Sequence, residues 1–311
     1  MKIGFGVDLG GTTVKIAVFT PDGKMLCKWE IPTVTENDGQ QILPDIAASV
    51  LGYIKAQNIH KAEVMGIGIG VPGPVRRDGV VNKCINLGWG VFNVEKALEE
   101  LTGFSVKAGN DASVAALGES WKGGGRDCEN MVLVTLGTGV GGGIVIGGQI
   151  VYGAHGAGGE VGHMVMNPQE TVLCTCGKYG CLEQYGSATG IVRMARKFLE
   201  KEQTPSVLRS VETLTCKDVF DAAKAEDALA KEVLEQVFAY LGAGIANICN
   251  VVDPEAVVLG GGVSKAGQML LDGVERHFKR HVFHAVSPVQ FRLAELGNDA
   301  GAYGAFKLLL E

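Results

Sequence analysis

"KIGFGVDLGGTTVKIAVFT", residues 2–20, decides the fold. Two runs rich in β-branched and aromatic residues flank Gly10-Gly11-Thr12, which reads as two strands joined by a tight glycine turn. Asp8 stands just before that turn. Backbone N–H groups in such a turn attract an anion, but a carboxylate beside them repels one unless a cation intervenes. Mg²⁺ held through water by Asp8 removes the conflict and makes Gly10, Gly11, Thr12 and Thr13 candidates for nucleotide phosphates. A plain hairpin with an Asx turn is the other reading.

The pattern recurs. "VTLGTGVGGG", residues 134–143, is again strand, glycine turn, strand. Each copy would open a β-β-β-α-β-α half, and two such halves would face one another across a cleft with a phosphate loop on each wall. A third glycine turn, "LGGGVS" at 259–264, stands between a strand and a helix expected over 264–281, where a helix dipole could assist. Further helices are expected over 39–57, 186–201, 215–226 and 227–252 from apolar spacing. "KGGGRDCE", residues 122–129, reads as a linker. Two G-x-G-x-x-G matches, at Gly137 and at Gly68, run into a strand and into Pro74. Neither opens a helix, so neither has the context of a dinucleotide site. No G-x-x-x-x-G-K-[ST] occurs.

A metal site is legible in "VLCTCGKYGCLEQYG", residues 172–186. Cys174, Cys176 and Cys181 have knuckle spacing, with Gly177 and Gly180 to turn the chain between ligands. His163, eleven residues before Cys174, completes a set of four ligands for a structural Zn²⁺. A disulfide is the weaker alternative. Glu160 and Glu183 flank the knuckle, and a metal-bound imidazole keeps a second ring nitrogen for another partner. Two carboxylates and that nitrogen describe a hydroxyl-binding wall; two surface glutamates in salt bridges are the plainer reading.

Asn110 and Asp111 stand where a strand meets a helix. Asp is a common helix cap. The same place lies beyond a strand carboxyl end, where Asp111 could accept a proton from a hydroxyl attacking a γ-phosphate, and Asn110 could fix a neighbouring hydroxyl.

With 311 residues, two domains are the default. The net charge of −6, without a Lys/Arg block, argues against nucleic acid. The longest uncharged stretch, residues 130–159, is too rich in Gly, Thr and Gln for a membrane helix. Eight cysteines without a signal-peptide core suit a reducing, cytoplasmic setting, and the five outside the knuckle are expected as buried free thiols.

These motifs resemble the ROK family of sugar kinases along essentially the whole chain. "VDLGGTTVKIAV" is similar to its first phosphate loop, and "LGTGVGGGIVIGG" to its second. "GVPGPV", "NLGW" and "GNDASVAALGE" are similar to its sugar-side motifs. "GAHGAGGEVGHM" followed by "CTCGKYGCLEQYGS" resembles its zinc signature, and "VVLGGGVS" its adenosine-side motif. The resemblance implies an α/β, actin/hexokinase-like ATPase fold with two lobes around a central cleft: residues 1–116 with 300–311, and residues 117–299. It implies ATP- and Mg²⁺-dependent phosphorylation of a hexose, usually at the 6-hydroxyl, with Asp111 as general base. Asn110, Glu160, His163 and Glu183 would bind sugar hydroxyls beside Gly73 and Asn86. Gly10, Gly11, Thr12, Thr138, Gly139 and Gly261 would approach ATP. Homodimers or homotetramers are implied, and glucose is the first substrate to expect. Other hexoses, N-acetylhexosamines and polyphosphate as donor are alternatives. The family also holds sugar-responsive repressors with a helix-turn-helix ahead of the kinase-like body; a first phosphate loop at residue 8 leaves no room for one, and the acidic balance agrees.

Overall fold

The first hairpin forms as its pattern dictates. In the computed structural model, which describes residues 1–311, β1 (Ile3–Leu9) and β2 (Thr13–Phe19) pair antiparallel, with Leu9 opposite Val14 and Asp8 opposite Lys15. β3 (Met25–Pro32) extends the ribbon antiparallel to β2. Helix α1 (Ile42–Ala56) buries Ile42, Ile46 and Val50 at helical spacing. It starts later than the expected residue 39 because Asn37, Asp38 and Gly39 take positive φ in a 3-10 turn. β4 (Val64–Val71) lies parallel to β1. β5 (Val80–Cys84) and β6 (Trp89–Asn93) form a separate two-stranded sheet. α2 (Val94–Thr102) is capped by Asn93, whose side chain accepts the Lys96 N–H. β7 (Val106–Asn110) adds parallel to β4, and α3 (Asp111–Lys122) follows without a break. The resulting sheet has the order β3-β2-β1-β4-β7.

The order then repeats. β8 (Met131–Leu136), β9 (Val140–Ile146) and β10 (Gln149–Ile150) open the second half. Helices α4 (Glu183–Gly186), α5 (Ala188–Lys201), α6 (Cys216–Lys224) and α7 (Ala228–Val252) come next. β11 (Ala256–Gly260), α8 (Gln268–His281), β12 (Gln290–Leu293) and α9 (Ala300–Lys307) complete the chain. The second sheet runs β10-β9-β8-β11-β12, with β11 parallel to both β8 and β12. It matches the first sheet position for position, which is the duplication of the actin/hexokinase-like ATPase fold. The helix expected from residue 264 begins at Gln268 instead. Gly262–Ala266 form a 3-10 turn, and Gly267 at φ +70° breaks the run.

The chain divides into two compact units: residues 1–129, 143–159 and 295–311, and residues 130–142 and 160–294. The linker expected at 122–129 therefore ends where the first unit first gives way to the second. The boundaries differ from the expected 116 and 299 for two packing reasons. Helix α3 lies against α9 within the first unit, and Ile150 joins Val114, Leu117, Ala305 and Leu308 in one apolar cluster. No helix is long and apolar enough to cross a membrane. All eight cysteines are free; of the five outside the knuckle only Cys84 and Cys249 are buried, while Cys27, Cys128 and Cys216 are half-buried.

α3 and α9 approach so closely that a β-carbon on Gly304 would stand 1.7 Å from the Val114 carbonyl oxygen. Backbone cannot retreat as a flexible side chain can. Gly304→Ala should therefore cost about 1–3 kcal/mol or more, read as a lower midpoint in urea unfolding at unchanged slope.

Candidate functional site

The first glycine turn is pinned from behind and open in front. Gly10 N–H bonds the Thr13 carbonyl at 3.0 Å, and the Thr33 hydroxyl donates to the Gly10 carbonyl at 2.8 Å. Gly11 and Thr12 are exposed, and nothing lies within 4 Å of a β-carbon built on Gly11. Asp8 stands at the strand end with Lys15 Nζ 3.5 Å from its Oδ2. Burial pushes the Asp8 carboxyl up, and Lys15 offsets that only in part. Lys15 is a cation at this turn that the motif reading passed over. Strand register alone, Asp8 opposite Lys15, was the signal for it.

Also in the first unit, the cap is Asn110, not Asp111. Asn110 Oδ1 accepts the Ser113 N–H at 3.0 Å, while its Nδ2 donates to the Gly73 carbonyl at 3.1 Å and to Asp111 Oδ1 at 3.0 Å. Asp111 Oδ1 also accepts the Ala112 N–H at 2.8 Å. The structure thus brings Gly73, Asn110 and Asp111 together and relieves Asp111 of the capping duty. Asn86 lies exposed in the 3-10 turn Ile85–Leu87.

In the second unit, the turn after β8 is held by the segment that follows the cysteines. The Ala188 N–H bonds the Gly137 carbonyl at 2.8 Å, and the Thr189 hydroxyl donates to the Thr138 carbonyl at 2.7 Å. Glu183 Oε2 accepts the Val140 N–H at 3.1 Å, and a β-carbon on Gly139 would lie 2.1 Å from that oxygen. A side chain at Gly139 would therefore push the Glu183 carboxylate aside. Glu183 Oε1 accepts the Thr175 hydroxyl at 3.0 Å. One carboxylate so ties the cysteine knuckle to the second glycine turn. Gly261 backs onto Leu136, the last residue of β8, which puts the third glycine turn beside the second. The intervening 3-10 turn means that α8 does not begin at Gly261, so its dipole is not aimed from there. A groove of about 790 Å³ opens at Thr138, lined among others by Thr189, Val192, Arg196, Lys197 and Leu214.

The expected metal ligands converge. The ligand atoms of His163, Cys174, Cys176 and Cys181 all lie within 4.8 Å of one another. Zn–S bonds of ~2.3 Å at tetrahedral angles put sulfurs about 3.8 Å apart. Cys176 and Cys181 Sγ are 3.6 Å apart, and Cys174 Sγ is 3.8 Å from His163 Nδ1. A disulfide needs ~2.05 Å. Burial, reinforced by the neighbouring thiols, pushes Cys181 up to about 12, a state that a cation would reverse. The donor set, spacing and closure by four protein groups fit structural zinc. Nδ1 faces the thiols, while Nε2 lies 3.8 Å from Glu160 Oε2, too far for a direct hydrogen bond.

Local structure shapes the knuckle. Gly180 has φ +73°, and a β-carbon there would meet the Asn167 carbonyl at 1.9 Å. Gln184 Oε1 accepts the Gly180 and Cys181 N–H groups at 2.8 and 3.2 Å, and its Nε2 donates to the Val172 carbonyl at 2.9 Å. Nothing in the motif marked Gln184 for this work. Glu170 supports the approach to the knuckle. Burial works against its charge, but the Val172 N–H, the Tyr185 hydroxyl and Arg193 outweigh it and hold the carboxyl at about 2.

The sequence model of the ROK family matches residues 4–311. A glucokinase of Halalkalibacterium halodurans is 44% identical, over 96% of this chain and 92% of its own. The structure of a ROK family glucokinase from Streptomyces griseus in complex with glucose and AMPPNP superposes with a TM-score of 0.77 at 33% identity, covering 98% of each chain. A putative xylose repressor of a Caldicellulosiruptor species is 29% identical over 98% of this chain but only 77% of its own length.

Cys176→Ser should take bound zinc from about one per chain to essentially none, by elemental analysis of the dialysed protein, and lower the melting temperature. The Glu170 carboxyl lies below the usual 4.5, so its stabilisation is present above that value and is lost as pH falls through about 2. Glu170→Gln should accordingly flatten the acid-unfolding curve between about pH 4.5 and 2, followed by circular dichroism.

Proposed function

The chain belongs to the ROK family, and on that footing we propose that it is a sugar kinase that transfers the γ-phosphoryl group of ATP to glucose, giving glucose 6-phosphate. The observation that carries this reading is the near full-length identity of 44% with a glucokinase. The duplicated sheets and the converged metal ligands agree with it. Within a family that also contains repressors, the Asn110–Asp111 geometry favours an enzyme. The helix is capped by Asn110, and the bonds from Asn110 Nδ2 and the Ala112 N–H fix the Asp111 carboxylate beside Gly73.

Asp111 acts as general base, taking the proton of the sugar hydroxyl as it attacks phosphorus in line. Asn110, whose Nδ2 donates to Asp111 and to the Gly73 carbonyl, holds that carboxylate in orientation beside the pocket wall of Gly73 and Asn86, and fixes a neighbouring sugar hydroxyl. Glu160 and His163 Nε2 receive sugar hydroxyls; the 3.8 Å between them has room for a hydroxyl to bridge. Glu183 joins them, since an ionised carboxylate has about four acceptor sites and can hold Val140, Thr175 and a hydroxyl together. His163, Cys174, Cys176 and Cys181 would hold zinc, which supplies rigidity and no open coordination position. The exposed turn Gly10–Thr13, with Asp8 and Lys15 behind it, and the turn Thr138–Gly139 beside Gly261 take the ATP phosphates. Mg²⁺ enters with the nucleotide and neutralises its charge. The groove at Thr138 suits a nucleotide, with apolar Val192 and Leu214 for the base and Arg196 and Lys197 for its anionic part. Free cysteines throughout fit a cytoplasmic enzyme.

An ADP-release assay over hexoses and N-acetylhexosamines, each run with ATP and with polyphosphate, tests the reading. Glucose with ATP is expected to give the highest kcat/KM. A different preferred sugar would reassign the substrate, and no turnover with any would remove the kinase. Asp111→Ala should lower kcat about 10²–10⁴-fold while glucose still binds, by calorimetric titration. Unchanged kcat would remove Asp111 from the chemistry.

A further inference from the structure

Glu119 takes no part in the chemistry above, yet its side chain is fully buried. A carboxylate so placed must be satisfied by hydrogen bonds. Its Oε2 accepts the N–H of Gly124 at 2.8 Å and of Glu295 at 3.0 Å, and its Oε1 accepts the N–H of Leu296 at 2.9 Å. Its backbone carbonyl takes the N–H groups of Gly123 and Gly125 at 3.1 and 3.0 Å. Arg126 fastens the same two segments together, pairing with Glu295 and donating to the Gly123 carbonyl at 3.1 Å.

These segments are far apart in sequence but share one property. The first leads out of the first compact unit, which gives way at Asn130. The second begins at Glu295, where the chain returns from the second unit for the last time. Glu119 also lies on α3, the helix whose first residue is Asp111, about two turns further along. A single rigid helix therefore carries the base at one end and, near the other, a carboxylate gripping both of these crossings.

We propose that Glu119 is a positioning residue for phosphoryl transfer. By fixing both segments to the Asp111-bearing helix, it holds the base in register with the first glycine turn of the same unit, where Lys15 Nζ donates to the Asn298 carbonyl at 3.4 Å, two residues beyond Leu296. The inference rests on the kinase reading for its kinetic consequence, but not for the clamp itself. A merely structural glutamate would change stability alone. A positioning one changes turnover while sugar affinity holds, because alignment errors of about 1 Å can cost about 10²-fold in rate.

The test is Glu119→Gln in the full chain, with Glu119→Asp as a second variant under the same criteria should the first not fold. Gln presents an N–H₂ to donors that need an acceptor. Amide hydrogen exchange should speed up in 123–126 and 295–296 together. Glucose affinity should stay within about 2-fold, and kcat should fall about 10- to 100-fold. Ile46→Val in α1, which lowers stability without touching either segment, should leave kcat unchanged. Wild-type kcat in the folded variant, unaltered exchange, or an equal kcat loss in Ile46→Val at matched melting temperature would each overturn the proposal. Should the unmodified protein phosphorylate no sugar, the kinase reading fails, while the exchange measurement still decides the clamp.

Discussion

Three sulfurs and an imidazole nitrogen within 4.8 Å of one another form a cluster that could hold a cation, and the groups proposed to read the sugar stand around it. Without an ion the buried Cys181 resists ionisation, and with one the thiolates become mutually tolerable. The ring nitrogen toward the thiols is then committed, which leaves Nε2 pointing toward Glu160. Glu183 takes the constraint further, since its carboxylate bonds both Thr175 in the knuckle and Val140 after the second glycine turn. Within the second unit, the strip proposed to read the sugar and the turn proposed to hold phosphate are one connected piece.

The first unit reaches a comparable result without metal. Its rigidity comes from helices packed at backbone distance, with Gly118 against the Ala300 carbonyl and Gly304 against the Val114 carbonyl. That contact fixes α3, and α3 fixes Asp111. The Asn110 amide, held by its capping bond to Ser113, donates through Nδ2 to Asp111 Oδ1 and so orients the carboxylate. Two sheets of one topology thus carry different equipment: a base-bearing helix in the first, a cysteine knuckle in the second.

The parts legible in the sequence were those with local causes. β-branched runs around glycine turns marked β1, β2, β8 and β9, and ligand spacing marked Cys174, Cys176 and Cys181. What escaped depends on distant partners. β5 and β6 are five residues each, with polar positions that stabilise only as a pair, and β12 is recognisable only by its place beside β11. Glu119 reads as an ordinary helix glutamate until segments 123–126 and 295–296 fold over it. Gly139 looks like a phosphate-loop glycine, and the Glu183 carboxylate, 44 residues on, also lies against it. The compact units differ from the expected limits for the same reason: α3 packs with α9, from the far end of the chain.

A metal-held knuckle is proposed to present the carbohydrate-reading groups. Its most direct test is a glucose titration by calorimetry on the purified protein as isolated, after chelation, and after zinc is restored. The account predicts that affinity falls steeply when the metal leaves and returns when it is replaced. Undiminished glucose affinity in folded, metal-free protein would contradict it.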